Sequence, residues 1–173
     1  MMGPLVRRTW APRGQTPVLR LTAPHQRISA MGAMTIRRSP VRFGFHFELL
    51  PDNVNFKGPS VARFLDRLRH KLDAPITLIW DEIRIHSAEP VREWLSRHPS
   101  VEVEQLPPYA PELNPVDYVW SYVKYGRLAN YCPHDTVELR ERVTAELTGV
   151  SKHPRLLRSL FMRTGLTLEG MGQ

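Results

Sequence analysis

Only one cysteine, Cys132, occurs in the 173 residues. A lone thiol excludes an internal disulfide and a multi-cysteine zinc site. It reads as a free thiol in a reducing cytoplasm. No stretch reaches the ~20 apolar residues a membrane-spanning helix needs, so no membrane partner is expected. Met1 to Gly14 carries arginines but no apolar run behind them, and so shows no secretory pattern. Internal repeats and low-complexity tracts are also lacking. Acids are in the minority: 17 Asp and Glu stand against 24 Lys and Arg, for a net charge of +7. Such an excess favours polyanionic partners, because neutralised phosphates release counterions. Alone it is a weak signal. Against these absences stands an ordinary globular balance of 42% hydrophobic and 24% charged residues. That is enough for one compact domain with its own core, and argues against disorder along the whole chain.

Trp10 to Pro17 is turn-like, punctuated by Pro and Gly. Val18 to Thr22 suggests a short strand, and Arg27 to Ile36 a buried one. Val41, Phe43, Phe45, Phe47 and Leu49 alternate with polar or small residues, which is the period of a half-buried strand. Arg37 to Pro40 connects the two as a hairpin. Ser60 is placed to cap a helix whose apolar positions are Val61, Phe64, Leu65, Leu68 and Leu72. Ile76 to Trp80 is short, apolar and rich in β-branched residues, as expected for a strand buried on both faces. It ends at Asp81. A helix from Ser87 to Arg97, with Pro90 in its first turn, leads to a strand over Val101 to Leu106. This rhythm predicts a right-handed parallel crossover. Four prolines then exclude regular structure from Leu106 to Pro115. Asn114 caps and Pro115 opens a helix to about Leu128. Further helices are expected near Asp135 to Leu147 and Pro154 to Thr164, with Gly165 as a C-cap.

Two acids stand out. Asp81 lies where a buried strand meets solvent, and ligands of open α/β sheets gather outside the carboxyl ends of the strands. Asp117 lies in the first turn of a helix whose start is fixed by the stiff loop. Two carboxylates brought together repel unless a cation lies between them. Mg²⁺ (or Mn²⁺) suits such a pair, being hard, oxygen-seeking and content with few carboxylates plus substrate phosphate. A pair of such ions ~3.5–4 Å apart stabilises attacking and leaving oxygens in phosphoryl transfer. Each acid also has a plainer explanation. Asp117 follows Asn114 by three positions and can complete an N-cap, and Asp81 can be a strand-end turn former. Glu82 and Glu112 are neighbouring carboxylates. His86 is either a catalytic or DNA-contacting group or, as lone histidines more often are, structural.

The blocks around these acids resemble a known family. Leu106 to Lys124, LPPYAPELNPVDYVWSYVK, resembles the signature of mariner-like transposases and their bacterial insertion-sequence relatives. In that signature a proline-rich loop and Asn-Pro lead into the last catalytic acid. Ile79 to His86, IWDEIRIH, resembles the block of the second catalytic Asp. Thr9 to Leu19, TWAPRGQTPVL, resembles the segment just after the first catalytic block. Asp117 stands 36 positions after Asp81, close to the family's usual gap. The resemblance implies an α/β fold, with an RNase H-like (retroviral integrase-type) mixed sheet flanked by helices. It also implies Mg²⁺- or Mn²⁺-dependent DNA strand cleavage and joining, and DNA partners (transposon ends and target).

Carried over, Asp81 and Asp117 become the catalytic and metal-binding residues, with Glu82, His86 and Asn114 near the site. Lys124 and Arg127 become DNA-binding candidates. Two positions depart from the bacterial pattern: Asp117 where Glu is usual, and Glu82 where Asn is common. None of Met1 to Thr9 is acidic, so the first catalytic Asp and the first central strand are expected to be missing. On this reading residues 1–150 are a partial RNase H-like catalytic domain, and 151–173 its C-terminal helix and tail. The chain would be a bacterial, cytoplasmic, nucleoid-associated transposase fragment, inactive alone, that pairs as a homodimer or with an upstream transposase half. The alternatives are a non-catalytic DNA-binding or interaction remnant, and another RNase H-like nuclease.

Overall fold

The computed structural model describes residues 7–8, 10–18 and 27–168. The period-two segment forms the hairpin expected of it. β1 (Ala30–Arg38) and β2 (Val41–Leu49) pair antiparallel, from Ala30 opposite Leu49 to Arg38 opposite Val41. Phe43 and Phe45 are buried, and Phe47 and Leu49 pack against the same cluster. β1 starts later than expected and is half-buried rather than buried. Its two faces serve different cores: Met34 and Ile36 join the hairpin's cluster, while Met31 joins a second one. Of the short strand expected over Val18 to Thr22, only Val18 is among the described residues, and it lies in extended coil.

Helix α1 (Gly58–Leu72) begins ahead of Ser60, with Lys57 in the cap position. Ser60 acts from inside the first turn instead. Its hydroxyl accepts from the Lys57 N–H at 2.8 Å and donates to the Lys57 carbonyl at 2.7 Å, which satisfies one donor that the helix itself leaves unpaired. β3 (Ile76–Trp80), α2 (Glu89–Ser96) and β4 (Val101–Gln105) form a parallel crossover, with Ile76 opposite Val101 and Trp80 opposite Gln105. Val61 and Leu65 of α1 pack with Val91 and Trp94 of α2 against Ile76, Leu78 and Trp80. The expectation that β3 is buried on both faces is overturned: Ile79 is 57% exposed. The apolar contacts of β3 come from one side only, and the face of Thr77 and Ile79 is open among the described residues.

One mixed sheet was also expected. The described strands form two separate two-stranded sheets. Strands exchange ladder bonds only when ~4.8 Å apart, and no described strand bridges β1 and β3. The two pairs touch through side chains instead, Met31 of β1 packing into the core of β3 and β4.

The C-terminal helices cover the hairpin. α3 (Pro115–Ser121) continues with π-helical hydrogen bonding over Tyr122–Arg127, where the Leu128 N–H reaches the Val123 carbonyl at 2.9 Å. α4 (Thr136–Ser151) is capped by Asp135, whose carboxylate accepts from the Glu138 N–H at 2.8 Å. α5 (Pro154–Met162) follows after a short turn. Val119, Val123, Leu147, Val150, Leu157, Leu160 and Phe161 close on Phe43 and Phe45. Gly165 takes a positive φ of 73° beyond α5, as a C-terminal turn requires. No described helix is long and apolar enough to cross a membrane.

Candidate active site

Asp81 directly follows β3, and the Leu106 N–H at the end of β4 donates to the Trp80 carbonyl at 2.8 Å. That bond ties the start of the proline-rich loop to the strand that delivers Asp81. Pro107 and Pro108 then carry the chain to Tyr109, which has a positive φ of 59° and a fully exposed ring. A single 3₁₀ turn, Pro111–Leu113, returns it to Asn114. The Asn114 side chain accepts from the Val116 N–H at 3.0 Å, so it caps α3 as expected. The loop and the strand end enclose an open cleft of about 420 Å³ whose lining includes Asp81, Glu82, Tyr109, Asn114 and Asp117.

The two acids behave as a charged pair inside this cleft. Burial, and then the charge of Asp81, push the Asp117 carboxyl above its ordinary value. A reciprocal capping box would place the Asp117 carboxylate on the Asn114 N–H. That N–H goes to the Pro111 carbonyl at 3.1 Å instead. Asp117 therefore sits partly desolvated beside a like charge, without the bond that would explain it as a cap. Asp81 Oδ1 is buried and accepts no hydrogen bond. An acceptor lone pair left in that state costs free energy unless something outside the described residues satisfies it.

His86 lies on the other side of Asp81. Its ring stacks on Trp80, with centroids 4.4 Å apart and planes 6° from parallel. Its Nδ1 lies 3.0 Å from the Asp81 backbone carbonyl and 3.2 Å from Oδ1. Only the carbonyl contact has hydrogen-bond geometry, since Oδ1 remains without a partner. Glu82 is exposed and lines the cleft, whereas Glu112 is not among its lining residues. No three described His, Cys, Asp or Glu side chains converge as a metal cluster. Lys124 is exposed, with Nζ 5.4 Å from the Tyr125 ring centroid. The Arg127 guanidinium is turned to Glu146 on α4, at 2.7 Å.

Two residues of this region carry weak local signals. Trp80 in sequence is the end of a strand, and its role as a platform for His86 needs the loop between them to fold back. Tyr109 in sequence is part of a stiff loop. An aromatic among prolines was the available signal, but its left-handed backbone is set by closure of the loop.

A family model described as DDE superfamily endonuclease matches residues 2–140 of the sequence. The chain belongs to the DDE superfamily endonuclease family. Solved structures agree on the fold. The Mos1 strand transfer complex is 17% identical with a TM-score of 0.57, over 97% of this chain and 52% of that one. The Mos1 mariner paired end complex with Mn is 18% identical with a TM-score of 0.57, over 96% and 53%. The Mos1 transposase catalytic domain, solved with Raltegravir and Mg, is 17% identical with a TM-score of 0.51, over 82% and 85%. This DDE superfamily chain thus has an α/β fold similar to that of the Mos1 catalytic domain, in keeping with the RNase H-like expectation. It spans about half the length of the chains in the two Mos1 complexes. No curated protein matches the sequence.

Proposed function

We propose that this chain carries part of the active site of a DNA transposase, in which Asp81 and Asp117 hold a Mg²⁺ or Mn²⁺ ion for DNA strand cleavage and transfer. The observation that carries this reading is the pairing itself: a desolvated, like-charged carboxylate beside a buried acceptor without a hydrogen bond, both in one open cleft. Two hard oxygen donors left in mutual repulsion fit a divalent cation. When bound there, such an ion supplies charge neutralisation to the phosphoryl oxygens. The chain's own residues do the rest. The β3 end and the capped α3 orient the two carboxylates, and the proline-rich loop walls the cleft. Its family membership and the Mos1 likeness agree with transposition as the process and DNA as the partner.

Among the described residues no third His, Cys, Asp or Glu converges with Asp81 and Asp117 as a metal cluster. We take the third ligand of a working site, and the strand that would fill the space between β1 and β3, to lie outside them. This chain by itself should then bind metal weakly and leave DNA uncut. Purified protein incubated with Mn²⁺ and terminal-repeat duplex is expected to yield no nicked product. Efficient nicking that Asp81→Ala abolishes would show that the site is complete. The excess of 24 basic over 17 acidic residues favours a second reading, a DNA-binding remnant without catalysis. It predicts salt-dependent DNA binding that Asp81→Ala leaves unchanged.

A further inference from the structure

We infer that His86 is a positioning residue: it clasps the end of β3 so that Asp81 presents its carboxylate to the cleft with the lone pairs of Oδ1 unspent. A carbonyl oxygen can only accept, so the 3.0 Å contact from Nδ1 to the Asp81 carbonyl requires a hydrogen on Nδ1. That hydrogen goes to the backbone. Oδ1, only 3.2 Å from the same nitrogen, receives none. The ring is held in place twice more. It lies flat on Trp80, and the His86 N–H donates to the Ile83 carbonyl at 2.8 Å, which folds residues 83–86 into a turn. Trp80 is itself packed into the core of α1 and α2. The clasp therefore transmits the rigidity of that core to a residue just past the strand end, where the ladder no longer restrains the backbone.

His98 makes the same pair of contacts with Trp94, its Nδ1 2.7 Å from the carbonyl and its ring stacked at 4.2 Å. What sets His86 apart is the carboxylate beside it, which the arrangement leaves without the donor while fixing the peptide. Groups that orient a metal ligand without touching the metal typically change affinity about 10–100-fold when lost. The inference rests on the metal reading of the cleft for one of its readouts, and stands apart from that reading for the other.

Two substitutions separate the ring's two contacts. His86→Asn keeps a donor at the Nδ1 position and loses the stack. His86→Phe keeps the stack and loses the donor. The whole chain is ¹⁵N-labelled, the protonation of the His86 ring is read from long-range ¹H–¹⁵N correlations, and Mn²⁺ affinity is measured from the electron paramagnetic resonance of the free ion, with Asp81→Asn as control. The expected results are a protonated Nδ1, Mn²⁺ binding by His86→Asn near that of the parent, and binding by His86→Phe about tenfold weaker at an unchanged melting temperature. An unprotonated Nδ1, or His86→Phe binding Mn²⁺ like the parent, overturns the inference. Should parent and Asp81→Asn bind Mn²⁺ alike, the metal reading fails, and the clasp is then decided by the ring protonation alone.

Discussion

Adding one methyl group at Gly32 tests how α3, and with it Asp117, is seated. Gly32 lies on β1 opposite Phe47. A Cβ built there falls 2.7 Å from Cζ of Phe45, 2.8 Å from Cζ2 of Trp120 and 3.0 Å from Cη2 of Trp120. Comfortable carbon contacts lie at ~3.5–4.0 Å, so both rings must retreat. Neither is free to do so: they pack edge to face with centroids 5.8 Å apart, and Phe45 is in the buried core. Trp120 stands three positions after Asp117 on α3, so displacing its ring pushes the first turn of the helix. Overpacking of this kind costs about 1–3 kcal/mol. Losing the freedom of glycine in the unfolded chain returns about 0.4–1 kcal/mol. Taking the middle of each range, the net loss for Gly32→Ala is about 1.3 kcal/mol, which for a chain of this size lowers the melting temperature by roughly 3–5 °C. Differential scanning calorimetry measures it. A double-mutant cycle with Trp120→Leu assigns it, because Gly32→Ala should lose much of its penalty once the indole is gone. A melting temperature unchanged or raised by Gly32→Ala would refute the seating argument.

Asp117→Asn should stabilise the metal-free chain at neutral pH. Burial and Asp81 raise the carboxyl's folded-state value, so stability falls as pH rises from the usual carboxylate range near ~4 through that raised value. Urea titrations should show the gain at pH 7 and its disappearance in acid below that range, whereas a loss at pH 7 contradicts the assigned repulsion. Mn²⁺ should raise the melting temperature of the parent more than that of Asp117→Asn. On the DNA side, Lys124→Gln should weaken binding more than Arg127→Gln, since Glu146 already holds the Arg127 guanidinium. Electrophoretic shifts at two salt concentrations compare them, and a larger effect at Arg127 would mean that its ion pair opens on DNA.

Much of this protein was written in its local sequence. Period two made the β1–β2 hairpin, helical spacing made α1, and Asn114 followed by Pro115 started α3 where expected, because those signals act within a few residues. The two acids were legible for the same reason, each being tied to an element boundary that the chain itself marks. Other features needed the folded molecule. Ser60 lost the cap position because α1 starts earlier, at Gly58. Ile79 is exposed because α1 and α2 pack on only one side of β3, which apolar composition cannot reveal. Among the described residues the expected single sheet became two, since strand pairing depends on which edges meet in space. The surroundings of Asp117 were also set there. Its spacing from Asn114 by itself favoured a cap, and only the tertiary structure brings the Asp81 charge to it with the Asn114 N–H already taken by the Pro111 carbonyl.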